Sequence, residues 1–322
     1  MDVSVVIVNW NVRELLRRCL LSLRADGTHV SSKLSGEVIV VDCASADGSV
    51  EMVRREFPWA RLIASQENLG YAWGNNKGMA AANGRFRLIL NPDTELVDQA
   101  LPAMVQYLEQ HPRVGALGPG LLNPDGTPQS SRRQFPTLAT AFCESTLLHQ
   151  WFPENRVAQR YYLAEQSADV PQPVDWVVGA ALMIRDKAWQ QVGPLDEGFF
   201  LYFEELDWCR RCRAAGWEIH YLPGAQVIHH EGKSSEQVAT ARTISFQRSK
   251  IRYFRKYYGA GWALVIRLFL LATFTFQLCE EALKWLLGHK RKLRQERLAS
   301  YWHVLVSGLS SGPQEPGGRG KG

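Results

Sequence analysis

The sequence predicts an α/β fold, a mostly parallel sheet flanked by helices, followed by a C-terminal helical, membrane-associating appendage. Three observations predict it. Apolar strand-like runs alternate with helical patterns over the first half of the chain, acids and amides follow the ends of those runs, and basic residues collect in the last quarter. Strand–helix alternation implies parallel strands, and ligands then gather at the strands' carboxyl ends.

Taken in order, four apolar runs open the chain: Val3–Asn9, Glu37–Asp42, Arg61–Ala64 and Arg85–Leu90. Between them, Glu14–Leu23 sets Leu15, Leu16, Cys19, Leu20 and Leu23 on one helical face. Asp47–Phe57 opens with an acid and a serine and stops at Pro58; Tyr71–Ala82 is rich in Ala and Gly; Asp98–Gln110 ends before Pro112. Val114–Leu122 reads as a fifth strand, followed by the polar, turn-rich LNPDGTPQSSRRQFPT, a candidate lining for a site. Ala139–Ser167 reads as helical or irregular. Asp175–Arg185 predicts one buried strand, Asp186–Val192 a short helix, Glu205–Ala215 a helix stopped by Gly216, and Glu218–Leu222 a returning strand.

The formal charge of +5 hides an asymmetry. Thirteen Lys and Arg face three Asp and Glu between Arg242 and Arg297, so the rest of the chain is acidic on balance. This excludes a nucleic-acid groove through the main domain and points the chain's end toward an anionic surface. RSKIRYFRKYYG and HKRKLRQER flank an apolar run, Ala263–Cys279, of 17 residues with Arg267 inside. A bilayer span needs about 20 residues. The run therefore reads as a helix lying on a membrane surface, with a packed terminal helix pair as the alternative. The six cysteines are scattered, and the opening VSVVIVN lacks a charged segment ahead of a long apolar one, so a reducing cytoplasm is expected. Cys209 and Cys212 form a CxxC without the partners a zinc site needs.

The chemistry-bearing residues sit just past the strands. Asn9, Trp10 and Asn11 follow the first strand, offering amides and a flat side chain to a base or ribose. The second strand delivers Asp42 and then the turn CASADGS with Ser45; Asp42 either accepts from a nucleobase or ribose, or caps its own turn. In ENLGYAWGNNKGM, Gly70, Gly74 and Gly78 leave one helix face bare, for close ligand approach or tight helix–sheet packing, while Asn68 and Asn75 can donate to phosphate or sugar oxygens. No G-x-x-x-x-G-K-[ST] is present, so P-loop binding of ATP is excluded. The fourth strand ends in Asn91-Pro92-Asp93-Thr94, where proline presents Asp93 as a hard oxygen ligand for Mg²⁺ or Mn²⁺. One carboxylate holds such an ion weakly. His229, after the strand-like VI of AQVIHH, is the candidate second protein ligand, with its twin His230 leaving that choice open. The densest acidic stretch, FEELDWCRRCRAAGW, completes the set.

VSVVIVNWN, VDCASADGS, ENLGYAWGNNKG, LILNPDTEL, VGAALMIRDKAWQQVGPLDEGFFLYFEELDWCRRCRAAGW and VIHHEGKSS occur in the order seen in glycosyltransferase family 2, and resemble most its bacterial rhamnosyltransferase-type branch. The resemblance spans Val3–Ser235, and as an ordered set the motifs are specific. It implies a GT-A type, Rossmann-like fold, a nucleotide-sugar donor, a divalent cation and inversion at the anomeric carbon. Residue by residue, it makes Asp42 the nucleoside-binding acid and Asp93 the acid of the metal-binding D-x-D position, whose first acid is Asn91 here. Glu204-Glu205-Leu206-Asp207 stands where relatives carry E-D-x-D, so the base falls to Glu205, with Glu204 and Asp207 left open. His229 matches the family's histidine five residues ahead of a serine, Ser234, and is implied as a metal or diphosphate contact. The expected division is a GT-A domain over 1–240, a basic amphipathic helical region over 241–306 and a disordered tail over 307–322.

The expected function is transfer of a sugar from dTDP-rhamnose or a UDP-sugar to a hydroxyl of a glycan or lipid-linked acceptor in cell-envelope polysaccharide synthesis, at the inner face of the cell membrane. Acids flanking Glu205 are expected to raise its proton affinity by repulsion, as suits a base. A nucleotidyltransferase would carry a glycine-rich basic loop after the first strand, which Asn9–Arg13 lacks. A catalytically silent nucleotide-sugar-binding or membrane-organising protein is the other class, and the intact Asp42, Asp93 and Glu205 set argues against it.

Overall fold

A computed structural model describes residues 1–25, 34–144, 146–230, 239–288 and 290–310. The chain divides into two units, one of residues 1–135, 162–200 and 204–236, the other of residues 136–161, 201–203 and 237–322.

The first unit begins with β1 (Val3–Asn9), α1 (Arg13–Ala25), β2 (Gly36–Cys43), α2 (Ser49–Glu56), β3 (Arg61–Ser65), α3 (Tyr71–Ala81) and β4 (Phe86–Leu90). All seven residues of β1 are buried, as expected of a central parallel strand covered on both faces. β1 pairs in parallel with β2 on one side and with β4 on the other, and β2 pairs with β3. The strand order 3-2-1-4 reverses its direction of growth beside β1, so a crevice opens between β1 and β4 at their carboxyl ends. α3 closes on this sheet through its glycines. A Cβ on Gly74 would lie 2.7 Å from Val8 Cγ1, and one on Gly78 would lie 2.2 Å from Val6 Cγ1. The bare helix face expected from the sequence is thus a packing surface.

β5 (Thr94–Leu96), α4 (Ala100–Gln110) and β6 (Val114–Leu122) follow, and the turn-rich segment after them carries the short strands β7 (Pro128–Gln129) and β8 (Arg132–Arg133). The expected strand Asp175–Arg185 is broken. β10 (Trp176–Val177) pairs with β8 in a separate two-stranded sheet, while β11 (Ala181–Arg185) enters the main sheet antiparallel between β4 and β6. The break falls at Val178–Ala180, where the Val178 N–H is drawn to the Ser131 carbonyl and the Ala180 carbonyl accepts from Asn91 N. Ahead of β10 lies β9 (Gln172–Val174). α8 (Asp186–Val192) and α9 (Glu204–Ala214) precede β12 (Glu218–His229), which runs seven residues beyond the expected Leu222. An irregularity between Leu222 and Gln226 lets β12 stay paired with β6 past Pro223–Gly224 and then pair antiparallel with β5.

The second unit contains α5 (Leu138–Cys143), α6 (Leu147–Trp151), α7 (Arg156–Tyr161), residues 201–203, and three longer helices, α10 (Ala239–Tyr258), α11 (Ala260–Leu286) and α12 (Arg291–Val306). Tyr202 and Phe203 both adopt left-handed backbone, φ 68° and 71°. The Phe246 ring of α10 packs against both of theirs, and Ser249 Oγ donates to the Leu201 carbonyl (2.9 Å). α11 is 27 residues long, about 40 Å at helical rise, and exceeds the 17-residue apolar run read from the sequence. One stripe (Ala263, Ile266, Leu270, Phe274, Glu281) is buried, whereas Trp262, Leu264, Val265, Leu268, Phe276 and Leu283 are exposed. α12 runs back along α11, fixed at both ends. The buried Glu281 carboxylate accepts from Arg294 (2.6 Å), and Arg267 Nε donates to the Gly308 carbonyl (2.7 Å). Of the expected disordered tail, residues 307–310 are placed, with Leu309 buried, and residues 311–322 lie outside the described residues.

Candidate active site

At the carboxyl ends of β1 and β2, Asn9 stands opposite Asp42. Asn9 Nδ2 donates to Asp42 Oδ2 (2.8 Å) and to Ser45 Oγ (3.1 Å), and Ser45 N donates to Asp42 Oδ1 (2.9 Å). Asn11 N donates to Ser45 Oγ, and Asn11 Oδ1 accepts from Ala46 N (2.7 Å). Asn11 and Ala44 both have positive φ, 55° and 60°, a local cost that this network offsets. Asp42 therefore does cap its own turn. The same bonds hold a row of polar groups at the mouth of the crevice, with Asn9 Oδ1 buried and lacking a hydrogen-bond partner among the described residues. Trp10 is half-buried beside them.

The α3 entry is built differently from the sequence expectation. Asn68 Oδ1 accepts from Gly70 N (3.1 Å), and a Cβ on Gly70 would lie 2.7 Å from the Phe200 carbonyl oxygen, the group that accepts from Tyr71 N. Asn75 is fully buried, with Nδ2 on the Tyr71 carbonyl (3.0 Å) and Oδ1 without a partner among the described residues. Asn68 and Gly70 serve the turn itself. The residue this turn delivers to the centre is Tyr71, whose hydroxyl donates to Asn91 Oδ1 (2.5 Å) and lies 3.4 Å from the Gly179 carbonyl.

After β4, Thr94 Oγ1 donates to the Asn91 carbonyl (2.7 Å), and the Asp93 carbonyl accepts from His230 N (2.8 Å). The two histidines differ in their partners. His230 Nε2 turns to Glu95 (2.6 Å), whereas His229 Nε2 lies 3.5 Å from Asp93 Oδ1. His229 Nδ1 contacts Gln129 Oε1 (2.8 Å), and Gln129 is oriented by its own amide bond to Asn123. An acceptor at Nδ1 fixes the proton there in the neutral ring, so the Nε2 lone pair faces Asp93. A bare imidazole nitrogen and a carboxylate oxygen at this spacing suit neighbouring ligands around one ion with bonds of about 2.1 Å. Among the described residues no group of three or more His, Cys, Asp or Glu forms a metal cluster.

The acids lie on the first turn of α9. Asp207 is fully buried and accepts from Arg211 Nε (2.9 Å), while Arg211 is itself tied to the Val192 and Pro194 carbonyls. Glu204 is buried, and burial, reinforced by the charge of Glu205, pushes its carboxyl well above the ordinary range. A raised proton affinity is thus present on Glu204. Glu205 is only partly buried, its Oε1 accepting from Gly179 N (3.3 Å) at the break between β10 and β11. Burial, together with the charges of Glu204, Glu205 and Asp93, raises the Tyr71 phenol well above its usual range. All three acids thus act on one hydroxyl.

Segments far apart in sequence meet here: 68–71, 91–93, 179 and 204–205. The sequence reading missed Tyr71, Gly179 and Gln129. Tyr71 lies within ENLGYAWGNNKGM, where the glycines and asparagines carry the stronger ligand-binding pattern. Gly179 interrupts an apolar run, a signal of a strand break. Gln129 lies in the turn-rich segment expected to line a site, with nothing in the sequence to single it out within that segment. Ser234 lies outside the described residues.

The profile of a family described as Glycosyl transferase family 2 matches residues 4–186. An N-acetylglucosaminyl-diphospho-decaprenol L-rhamnosyltransferase from Mycobacterium tuberculosis is 29% identical over 274 residues, covering 82% of this chain and 87% of the relative. A low-salt glycan biosynthesis hexosyltransferase from Haloferax volcanii is 27% identical, covering 71% of this chain and 67% of the relative. A solved mannosyltransferase from Pyrobaculum calidifontis, in complex with GDP-Man and Mn2+, matches with a TM-score of 0.53 at 16% identity, covering 96% of this chain and 87% of that one. That likeness shows the GT-A fold.

Proposed function

This chain belongs to glycosyltransferase family 2, and from that premise we propose an inverting, metal-dependent glycosyltransferase acting in cell-envelope polysaccharide synthesis. It moves a sugar, rhamnose from dTDP-rhamnose or a hexose from a UDP-sugar, to a hydroxyl of a glycan or lipid-linked acceptor. The name of the mycobacterial relative supports rhamnosyl transfer to an acceptor carried on a polyprenyl diphosphate. The observation that carries the reading is convergence: the Tyr71 hydroxyl bonds to Asn91 at the Asn91-Pro92-Asp93 turn and approaches the carbonyl of Gly179, whose N–H bonds to Glu205.

In this reading the nucleoside lies against Asn9, Trp10, Asn11, Asp42 and Ser45, and Asn75 and Asn91 line the same crevice. Asp93 and His229 hold the divalent cation, Mg²⁺ or Mn²⁺, which when bound supplies positive charge to the departing diphosphate. Glu205, steadied by Gly179 N–H, accepts the proton of the acceptor hydroxyl as its oxygen bonds to the anomeric carbon. The bond to the diphosphate oxygen breaks, and the leaving group takes the electron pair. Glu204 stays protonated beside it, so the pair carries one negative charge rather than two.

The second unit supports peripheral association with the cytoplasmic face of the membrane. α11 has the length and composition to cross a bilayer. Its partner α12 does not, for it carries Arg291, Lys292, Arg294, Glu296 and Arg297 and is bound to α11 near both ends. A span would drag those charges into hydrocarbon at about 2.5–3.5 kcal/mol each. The hairpin instead lies in the interface, exposed apolar residues down and basic residues at its turn toward anionic lipid.

Glu205→Gln tests the chemistry. Glutamine keeps the oxygen that Gly179 N–H needs but cannot take a proton at neutral pH. Transfer should fall about 10²–10⁴-fold with nucleotide affinity unchanged. Equal turnover by wild type and a folded variant refutes the assignment. Binding without transfer or donor hydrolysis by the wild type favours the silent-binding class.

A further inference from the structure

Tyr71 hydrogen-bonds Asn91 Oδ1 at 2.5 Å and faces the three acids of the site without belonging to any role assigned so far. The phenol keeps its proton and donates it to the Asn91 side-chain oxygen. The consequence falls on the other end of the amide. With Oδ1 occupied by that bond, Nδ2 is the end of the amide left for a ligand. Asn91 is only partly buried and sits one residue past β4, on the crevice between β1 and β4.

We propose that Tyr71 is a positioning residue that locks the Asn91 amide with its N–H groups toward the donor's diphosphate or ribose oxygens, making Asn91 a hydrogen-bond donor to the nucleotide rather than a ligand of the cation. The inference rests on the glycosyltransferase reading and assigns the first position of Asn91-Pro92-Asp93. An aspartate there would add a further negative charge beside Asp93 and Glu205. An amide held by its oxygen removes that charge and offers an anionic ligand two N–H groups instead. Amide orientation is set by its hydrogen bonds, so the bond to Tyr71 is the determinant.

The test measures two affinities on the full chain. UDP and dTDP binding is followed by calorimetry in EDTA, and Mn²⁺ binding is followed by electron paramagnetic resonance without nucleotide, for wild type, Tyr71→Phe, Asn91→Ala and the double variant. Loss of one hydrogen bond should weaken nucleotide binding about 2–10-fold in Tyr71→Phe. Asn91→Ala should lose at least as much, and the double variant no more than Asn91→Ala alone, since Tyr71 acts through Asn91. Mn²⁺ affinity should stay within about twofold throughout, since one lost ligand typically costs tenfold or more. Unchanged nucleotide affinity in Tyr71→Phe, additive losses in the double variant, or a tenfold loss of Mn²⁺ in Asn91→Ala overturns the proposal. Wild-type protein that binds neither nucleotide once Mn²⁺ is restored overturns the donor-site reading itself, and this inference with it.

Discussion

Replacing Glu204 by glutamine turns its raised proton affinity into a stability measurement. The folded carboxyl is pushed above its ordinary value of 4.5 by burial and by Glu205. Above pH 4.5 the unfolded chain has released this proton while the folded protein still holds it. The folded state then binds more protons, and stability falls as pH rises, until the folded group also ionises. One proton of difference corresponds to about 1.4 kcal/mol per pH unit. The Glu204→Gln variant has no proton to lose at this position, so its loss of stability over the same window should be shallower by that slope. Any constant cost of burying the amide cancels in the comparison of slopes. Urea unfolding at pH 5, 6, 7 and 8 provides the assay, and the stability of Glu204→Gln relative to wild type should climb with pH by roughly 1.4 kcal/mol per unit at first. Parallel pH profiles would refute the claim that Glu204 folds as a neutral acid.

Gly78→Ala decides between the two readings of the bare α3 face. A Cβ 2.2 Å from Val6 Cγ1 must displace the sheet contact, so thermal unfolding should show a destabilisation of about 1–3 kcal/mol, whereas an open ligand-facing groove would give a small gain. Gln129→Ala frees Nδ1 of His229 and should raise the Mn²⁺ concentration needed for half-maximal transfer about 10–100-fold, with saturating turnover little changed. Liposome sedimentation should find the full chain on anionic vesicles at low salt and released at high salt, and alkaline carbonate should extract it from native membranes. Retention after carbonate would show that α11 crosses the bilayer.

Much of the site was legible because strand ends are legible. Asp42, Asn9 and Asp93 follow apolar runs, and parallel strands carry whatever follows them to one edge. The tertiary structure sorted the acids after that. Glu204, Glu205 and Asp207 share one helical turn and one charge in the sequence. In the fold, Asp207 meets Arg211, Glu204 is enclosed, and Glu205 reaches Gly179 at a strand break. The histidines were separated in the same way, His229 toward Asp93 and His230 toward Glu95.

The sequence by itself determined the alternating α/β plan, the polar residues at the strand tips and the charge imbalance of the C-terminal quarter, since periodicity and composition are local properties. Only the tertiary structure decided that Gly74 and Gly78 pack rather than bind, that α11 is tied to a charged partner, and that Tyr71 stands among three acids. Those outcomes depend on distances between residues separated by many positions in the chain, and the spacing of letters along a sequence does not contain them.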